Sequence, residues 1–369
     1  MGDMWTARIQ AGTADFEARF EHIKVTYKTV DDTQLEAAVF VPKTLTSRSD
    51  PVSAPVLVHF HGGALITGAA PDLCFLSDWV RDLAHTTPAI FISPSYRLSP
   101  ETPAVSILDD IADFWRWFPT HLPSLLSSPP WQHITPDLTR LLALGESAGG
   151  YLALQSALLL SVKPPLRAVV ALYPAIYPDL AVFNSHLPDA KKANDDDDAV
   201  VTAFLSTALG GNQTIRTSTP WPGLLTETIA SMTTGRAREV WGPDEEGRLE
   251  LGYALQQARN RAERSCGRGP GRGRGAIAEG DEAGSEERKG GLPPIWVVQG
   301  TEDTVVPKEG TDEMVKRLRE EGPEGTEVRY TVREGGHGFD IPLRLGEGEE
   351  GWVREGVEWV RGFWLGGGC

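Results

Sequence analysis

Cysteine is scarce in this chain of 369 residues. There are three, Cys74, Cys266 and Cys369, an odd number spread over the whole length. Such spacing excludes a disulfide framework and a clustered zinc site, and it fits a reducing compartment, so a cytoplasmic location is expected. Long apolar runs are missing too. Those present are broken by Pro, Gly or charge, so no membrane-spanning helix is expected. The start, Met1-Gly2-Asp3-Met4-Trp5, lacks the basic stretch and apolar run of a secretory signal, and Cys369 lacks the three following residues that prenylation requires. Positive charge is also in short supply, with 35 Lys and Arg against 51 Asp and Glu, a net charge of −16. A chain this acidic does not hold nucleic acid by bulk electrostatics, because phosphate binding needs clustered cations. No internal repeat is found.

What is present is ordinary for a globular protein: 40% hydrophobic and 23% charged residues, with length enough for one large domain or two. Strand-like and helix-like segments alternate. Phe20–Val30 and Gln34–Val41 read as strands joined through Asp31-Asp32. Pro55–Phe60, Ala89–Pro94, Leu141–Leu144, Leu166–Tyr173, Ile295–Gln299 and Glu327–Val332 are further strand candidates. Asp72–His85, Val105–Phe118, Tyr151–Leu160, Thr311–Glu320 and Trp352–Trp364 carry helical spacing. Trp115, Trp117 and Phe118, and likewise Trp352, Trp359 and Trp364, are expected to pack as core. Pro119–Pro136, rich in Pro and Ser, is expected to be a loop. The alternation implies a mostly parallel sheet with helices on both faces.

Between Ala181 and Gly291 the pattern weakens. The acidic run Asp195–Asp198 reads as a solvated loop, since consecutive carboxylates point apart and do not converge on a metal. Helical patches follow at Val200–Leu209, Leu224–Met232 and Arg248–Arg261. Arg264–Gly291 is Gly-rich, first basic (Arg268, Arg272, Arg274) and then acidic, with no aromatic residue. It cannot offset its ordering entropy by burial and reads as a flexible insertion. RNA contact by its Gly-Arg pairs is excluded by the missing aromatic stacking partners.

The chemistry centres on Gly145-Glu146-Ser147-Ala148-Gly149. The pattern G-x-S-x-G lies between a short apolar strand and an apolar helix, the context in which a sharp turn lifts a serine hydroxyl clear of the sheet. The flanking glycines are needed because side chains there would clash. Three more features join it. His61-Gly62-Gly63-Ala64 follows a strand, and the amides of Gly62 and Gly63, with that of Ala148, could hold an oxyanion. Gly300-Thr301-Glu302-Asp303 follows another strand and offers an orienting carboxylate; Glu302 competes, and the Gly-x-x-Asp spacing favours Asp303. Gly335-Gly336-His337-Gly338 follows a third and offers a mobile general base. Of the other histidines only His61 is a rival, and it is expected to hold the glycine loop by hydrogen bonding. The order Ser147, Asp303, His337 suits this architecture.

Together with Tyr96-Arg97-Leu98-Ser99-Pro100-Glu101 and Gly150, these residues resemble the α/β-hydrolase superfamily, and within it the hormone-sensitive-lipase-like esterases of the fold-3 type. The likeness runs from about Phe20 to Trp364. Ala64 stands where the family usually has a third glycine, and the insertion at 264–291 is not a usual family element. The resemblance implies an α/β-hydrolase fold: a mostly parallel eight-stranded sheet, helices on both faces and a helical cap. It divides the chain into a first core part at 1–180, whose N-terminal segment is available to the cap, a cap or lid at 181–262, a Gly/Arg/Glu-rich insertion at 263–291 and a second core part at 292–369. It further implies a serine carboxylesterase acting on small-molecule esters, with no cofactor or metal. Hydrolases that tailor intermediates of secondary metabolism are similar. The same groups also serve an amidase, a thioesterase or an acyl-transfer or cyclising enzyme. A non-catalytic receptor on this fold is a further alternative, opposed by an intact Ser147, Asp303 and His337.

Overall fold

In the computed structural model, residues 2–71, 75–160, 162–175, 195–210, 214–219, 223–265, 291–346 and 351–366 are described, side chains of 2–6 and 195 excepted. The expected hairpin forms from β1 (Phe20–Val30) and β2 (Thr33–Pro42). Asp31 and Asp32 take φ values of 45° and 64°, the left-handed pair that matches a two-residue turn to the twist of its strands. β3 (Val52–Phe60), β4 (Ile90–Pro94), β5 (Ile134–Glu146), β6 (Ala168–Leu172), β7 (Ile295–Gly300) and β8 (Val328–Arg333) complete one sheet of eight strands in the order β1-β2-β4-β3-β5-β6-β7-β8. The pairs β1–β2 and β2–β4 are antiparallel and the rest parallel.

Burial on both faces explains why the central strands are apolar throughout. Val56 and Val58 of β3, and Ile295 and Val297 of β7, enter one core; Leu57, Trp296 and Val298 enter the other. The first core is closed by α4 (Ala104–Leu126), α5 (Ala148–Leu158), α9 (Leu251–Ser265) and α10 (Lys308–Glu321), through residues such as Phe114, Leu152, Leu255 and Leu318. The second is closed by α1 (Gly2–Arg19), α3 (Asp78–Thr86) and α11 (Gly351–Trp364), through Phe16, Trp79 and Val357. Trp115, Phe118, Trp352 and Trp364 are buried as expected, and Trp117 and Trp359 partly so. α2 (Lys43–Thr46) is a single turn.

Three local expectations are corrected. The stretch Pro119–Pro136 is not all loop: α4 runs on through Pro119 and Pro123 to Leu126. Leu122 and Leu126 are fully buried and continue the stripe of Trp115 and Phe118, so packing outweighs the hydrogen bonds that two prolines cannot donate. β5 begins at Ile134, seven residues before the expected strand, because the pairing with β3 jumps from Pro55–Asp137 to Val56–Leu141. The Asp137 carboxylate accepts from the Thr139 N–H at 3.0 Å and so stabilises that bulge. Asp195–Asp198 is the first turn of a helix, α6 (Asp195–Leu209), where the helix dipole favours acidic side chains.

The crossover from β6 to β7 also holds α7 (Leu225–Thr233) and α8 (Ala237–Trp241). Most of the insertion expected at 263–291 lies outside the described residues; 263–265 close α9. Among the described residues no helix is long and apolar enough to cross a membrane.

Candidate active site

Parallel strands deliver their C-terminal ends to one edge of the sheet, and the loops after β3, β5, β6, β7 and β8 meet there. Ser147 joins β5 to α5 with φ 53° and ψ −121°, a conformation that side chains disfavour. The turn is tied at both ends. The Ser147 N–H donates to Leu172 O at 2.9 Å, and its carbonyl accepts from Tyr151 N at 3.1 Å and Ala175 N at 3.0 Å. The glycines are needed for space: a Cβ on Gly149 would overlap the Phe60 carbonyl, and one on Gly145 would overlap Gly149 itself.

Asp303 and His337 are joined. His337 Nδ1 lies 2.8 Å from Asp303 Oδ2, which as a carboxylate accepts, so Nδ1 carries the hydrogen and Nε2 of the neutral ring keeps its lone pair. Asp303 is itself fixed: Oδ1 accepts from the N–H groups of Val305 and Val306 at 2.9 and 2.8 Å, and Oδ2 from Gln299 Nε2 at 3.1 Å. Its competitor Glu302 is exposed to solvent. The loops carrying the pair touch closely, because a Cβ on Gly300 would overlap the Gly335 carbonyl.

Tyr173 links the serine side to the histidine side. It follows Leu172, which holds the Ser147 amide, and its ring stands edge-on to His337 with centroids 4.6 Å apart. Beyond it, buried Asp340 accepts from Ser77 Oγ at 2.8 Å and Trp79 Nε1 at 2.9 Å, anchoring the histidine loop to α3. Burial raises the pKa of both the Asp340 carboxyl and the Tyr173 phenol. Among the described residues no hydrogen bond joins Ser147 Oγ to His337; the bond that the structure displays is that between His337 and Asp303.

The glycine loop engages its amides unequally. The Gly62 N–H donates to Glu146 Oε1 at 3.0 Å and is committed; Glu146 Oε2 is held in turn by His59 Nε2 at 2.8 Å. The next two amides are aimed by their own peptide planes, in which C=O and N–H point opposite ways. Gly62 O accepts from His61 Nδ1 at 2.8 Å, which turns the Gly63 N–H away from His61. Gly63 O accepts from Ile66 N at 2.8 Å and Thr67 N at 3.0 Å, which turns the Ala64 N–H outward likewise. The Ala148 N–H opens α5, where no intrahelical acceptor exists. The Gly62 amide is thus bonded to Glu146, while those of Gly63, Ala64 and Ala148 are turned away from the carbonyls of their own loop and helix.

His61 does hold the loop. It is fully buried, stacks on Tyr96 at 4.3 Å and has its pKa lowered to about 4 by that burial. Glu146, His59 and Tyr173 carried no signal beyond lying beside a motif. Arg216 and Trp241, described below, lie in the crossover where patterning was weakest. Among the described residues no cluster of His, Cys, Asp or Glu suits a metal.

A strained serine after a central strand, a buried carboxylate bonded to a part-exposed histidine and a glycine loop beside them suit an α/β-hydrolase of the serine type. The family profile described as alpha/beta hydrolase fold matches residues 57–218. A probable carboxylesterase of Phoma sp. is 29% identical over 356 residues, covering 94% of this chain and 97% of that protein. A probable carboxylesterase of Cochliobolus lunatus is 30% identical over 227 residues, covering 59% of this chain and 86% of that protein. In three dimensions the chain is similar to fungal esterases from Rhizomucor miehei, with a TM-score of 0.56 at 17% identity over 98% of this chain and 91% of that one. The chain belongs to the α/β-hydrolase family, among its hormone-sensitive-lipase-like carboxylesterases of the fold-3 type, and it hydrolyses esters.

Proposed function

We propose that Ser147, His337 and Asp303 form the catalytic triad that cleaves carboxylic esters of small molecules. His337 Nε2 takes the Ser147 proton as Oγ attacks the carbonyl carbon; Asp303 orients the ring and stabilises its cationic form. The tetrahedral oxyanion is held by the amides of Gly63, Ala64 and Ala148. Collapse expels the alcohol, which takes its proton from His337, and water then releases the acid by the same route. The observation that carries this reading is the 2.8 Å His337–Asp303 bond beside a serine held at φ 53°. No cofactor or metal enters any step.

The crossover helices α6 to α8 support a cap over this edge of the sheet, at 181–262, with 1–180 and 292–369 forming the core and 263–291 inserted between them. We place the enzyme in the cytoplasm on its scarce, unclustered cysteines.

The test is Ser147→Ala assayed with p-nitrophenyl esters of short acids. Turnover is expected to vanish while the circular dichroism spectrum is retained. Residual activity above about 5% of wild type would remove Ser147 as nucleophile, since loss of a triad member costs on the order of 10⁴ or more.

A further inference from the structure

The loop from Gly62 to Gly68 is strained and held from outside. Ala64 and Leu65 take φ values of 53° and 61°, two successive left-handed residues neither of which is glycine. Such backbone persists only where its surroundings over-determine it. Its carbonyls show what does so. Leu65 O accepts from the Ser99 N–H at 2.7 Å within the core. The others reach into the β6–β7 crossover. Ala64 O accepts from Trp241 Nε1 at 2.8 Å. Ile66 O accepts from Arg216 Nη1 at 2.8 Å. Gly68 and Thr219 exchange N–H···O bonds of 3.1 and 2.8 Å as a one-pair antiparallel bridge. Thr67 Oγ1 lies within hydrogen-bond reach of Thr219 O, at 3.0 Å, and Gly223 O, at 2.8 Å.

The crossover is itself pinned before it reaches the loop. Arg216 spans Glu101 with two bonds of 2.7 and 2.6 Å and donates to the Ser99 carbonyl and to Thr219 Oγ1. The Leu98 N–H donates to Arg216 O at 2.8 Å. Trp241 is buried and lies 5.9 Å, centroid to centroid, from Tyr151 on α5, four residues after Ser147. The crossover therefore contacts both the glycine loop and the helix that presents the nucleophile.

We propose that Trp241 and Arg216 are positioning residues for the oxyanion hole: the crossover holds Ala64 and Leu65 in their left-handed conformation and so aims the Gly63 and Ala64 amides. The inference rests on the triad reading above. It gives the crossover a part in the chemical step in addition to any role in enclosing substrate. It also accounts for alanine at position 64. External bonds keep in place a backbone that glycine would adopt without them.

Trp241→Phe removes one N–H and keeps an aromatic ring, while Arg216→Gln removes the strap. Both are to be measured in the full chain with p-nitrophenyl acetate and butyrate, well below the melting temperature. A misaligned oxyanion hole should lower kcat by about 10- to 100-fold. KM should stay within about threefold, because the lost interaction matters in the transition state and not in the ground state. A trifluoromethyl ketone adds Ser147 Oγ to its carbonyl carbon and leaves an oxyanion, so its affinity should fall in proportion to kcat/KM. A role in folding alone predicts a lower melting temperature with kcat and ketone affinity unchanged; kcat within about twofold of wild type in folded Trp241→Phe would overturn the proposal. Should that variant not fold, Thr67→Val replaces it, removing only the hydroxyl by which the loop reaches Thr219 and Gly223 of the crossover, and the same limits apply. Failure of the underlying triad reading is distinguishable: the wild type itself would then neither turn over esters nor bind the ketone.

Discussion

At Ser147 the protein holds a side chain where glycine would be more comfortable. The strain at φ 53° and ψ −121° is maintained by the bonds to Leu172, Tyr151 and Ala175. It follows that Ser147→Gly and Ser147→Ala, though equally inactive, differ in stability. Glycine should relieve the strain and raise the unfolding free energy by about 1 kcal/mol over the alanine variant. Urea denaturation of the two measures this, and equal midpoints would show that the turn stores no strain. His61 yields a second expectation at this scale. Its pKa of about 4 in the folded protein lies below its ordinary value of 6.5, and burial is the cause. Below pH 6.5 the unfolded chain binds a proton that the folded one excludes, so stability is lost as pH falls toward about 4 and is unaffected by this group above 6.5. The loss amounts to on the order of 3 kcal/mol. His61→Asn keeps a donor for Gly62 O and does not titrate, so its unfolding free energy should fall less steeply across this window. Parallel pH profiles would place the acid sensitivity elsewhere.

At the scale of elements, legibility in the sequence followed periodicity. β3, β6 and β7 stood out as unbroken apolar runs because both faces of the sheet are covered, and α11 stood out by its Trp and Val spacing. The second half of α4 was hidden by Pro119 and Pro123, and α1 by a composition too polar to betray that Phe16 packs on Phe20, Phe40 and Phe91. The end of α4 is a structural member all the same. Leu122→Ala there should cost about 3 kcal/mol, the usual price of a fully buried leucine. A cost under about 0.5 kcal/mol in chemical denaturation would mean that this helical end is not packed, since only surface changes are so mild. The glycine loop was legible as a motif, whereas the bonding of each of its amides was not. Which amide is free depends on what its neighbours' carbonyls and carboxylates hold, and Glu146 meets Gly62 only once β3 and β5 pair.

Over the whole molecule, the sheet gathers groups that lie far apart in sequence: the Ser147 turn after β5, Asp303 after β7 and His337 after β8. Their residue types and order were readable because each follows a strand within a short glycine-rich signature. The contacts of the crossover were not, since Arg216 and Trp241 reach the glycine loop through hydrogen bonds to the carbonyls of Ile66 and Ala64, and no local pattern announces such a bond. The net charge of −16 disfavours polyanionic substrates and leaves neutral esters unopposed. The central claim is that Ser147 is the nucleophile activated by His337. It is tested most directly by treating the full chain with a fluorophosphonate, which exchanges its fluoride for the attacking serine oxygen, and locating the adduct by peptide mass spectrometry. The account predicts one adduct, on Ser147, absent in Ser147→Ala and formed far more slowly in His337→Ala. An adduct on another residue, or none while the wild type still hydrolyses esters, would contradict it.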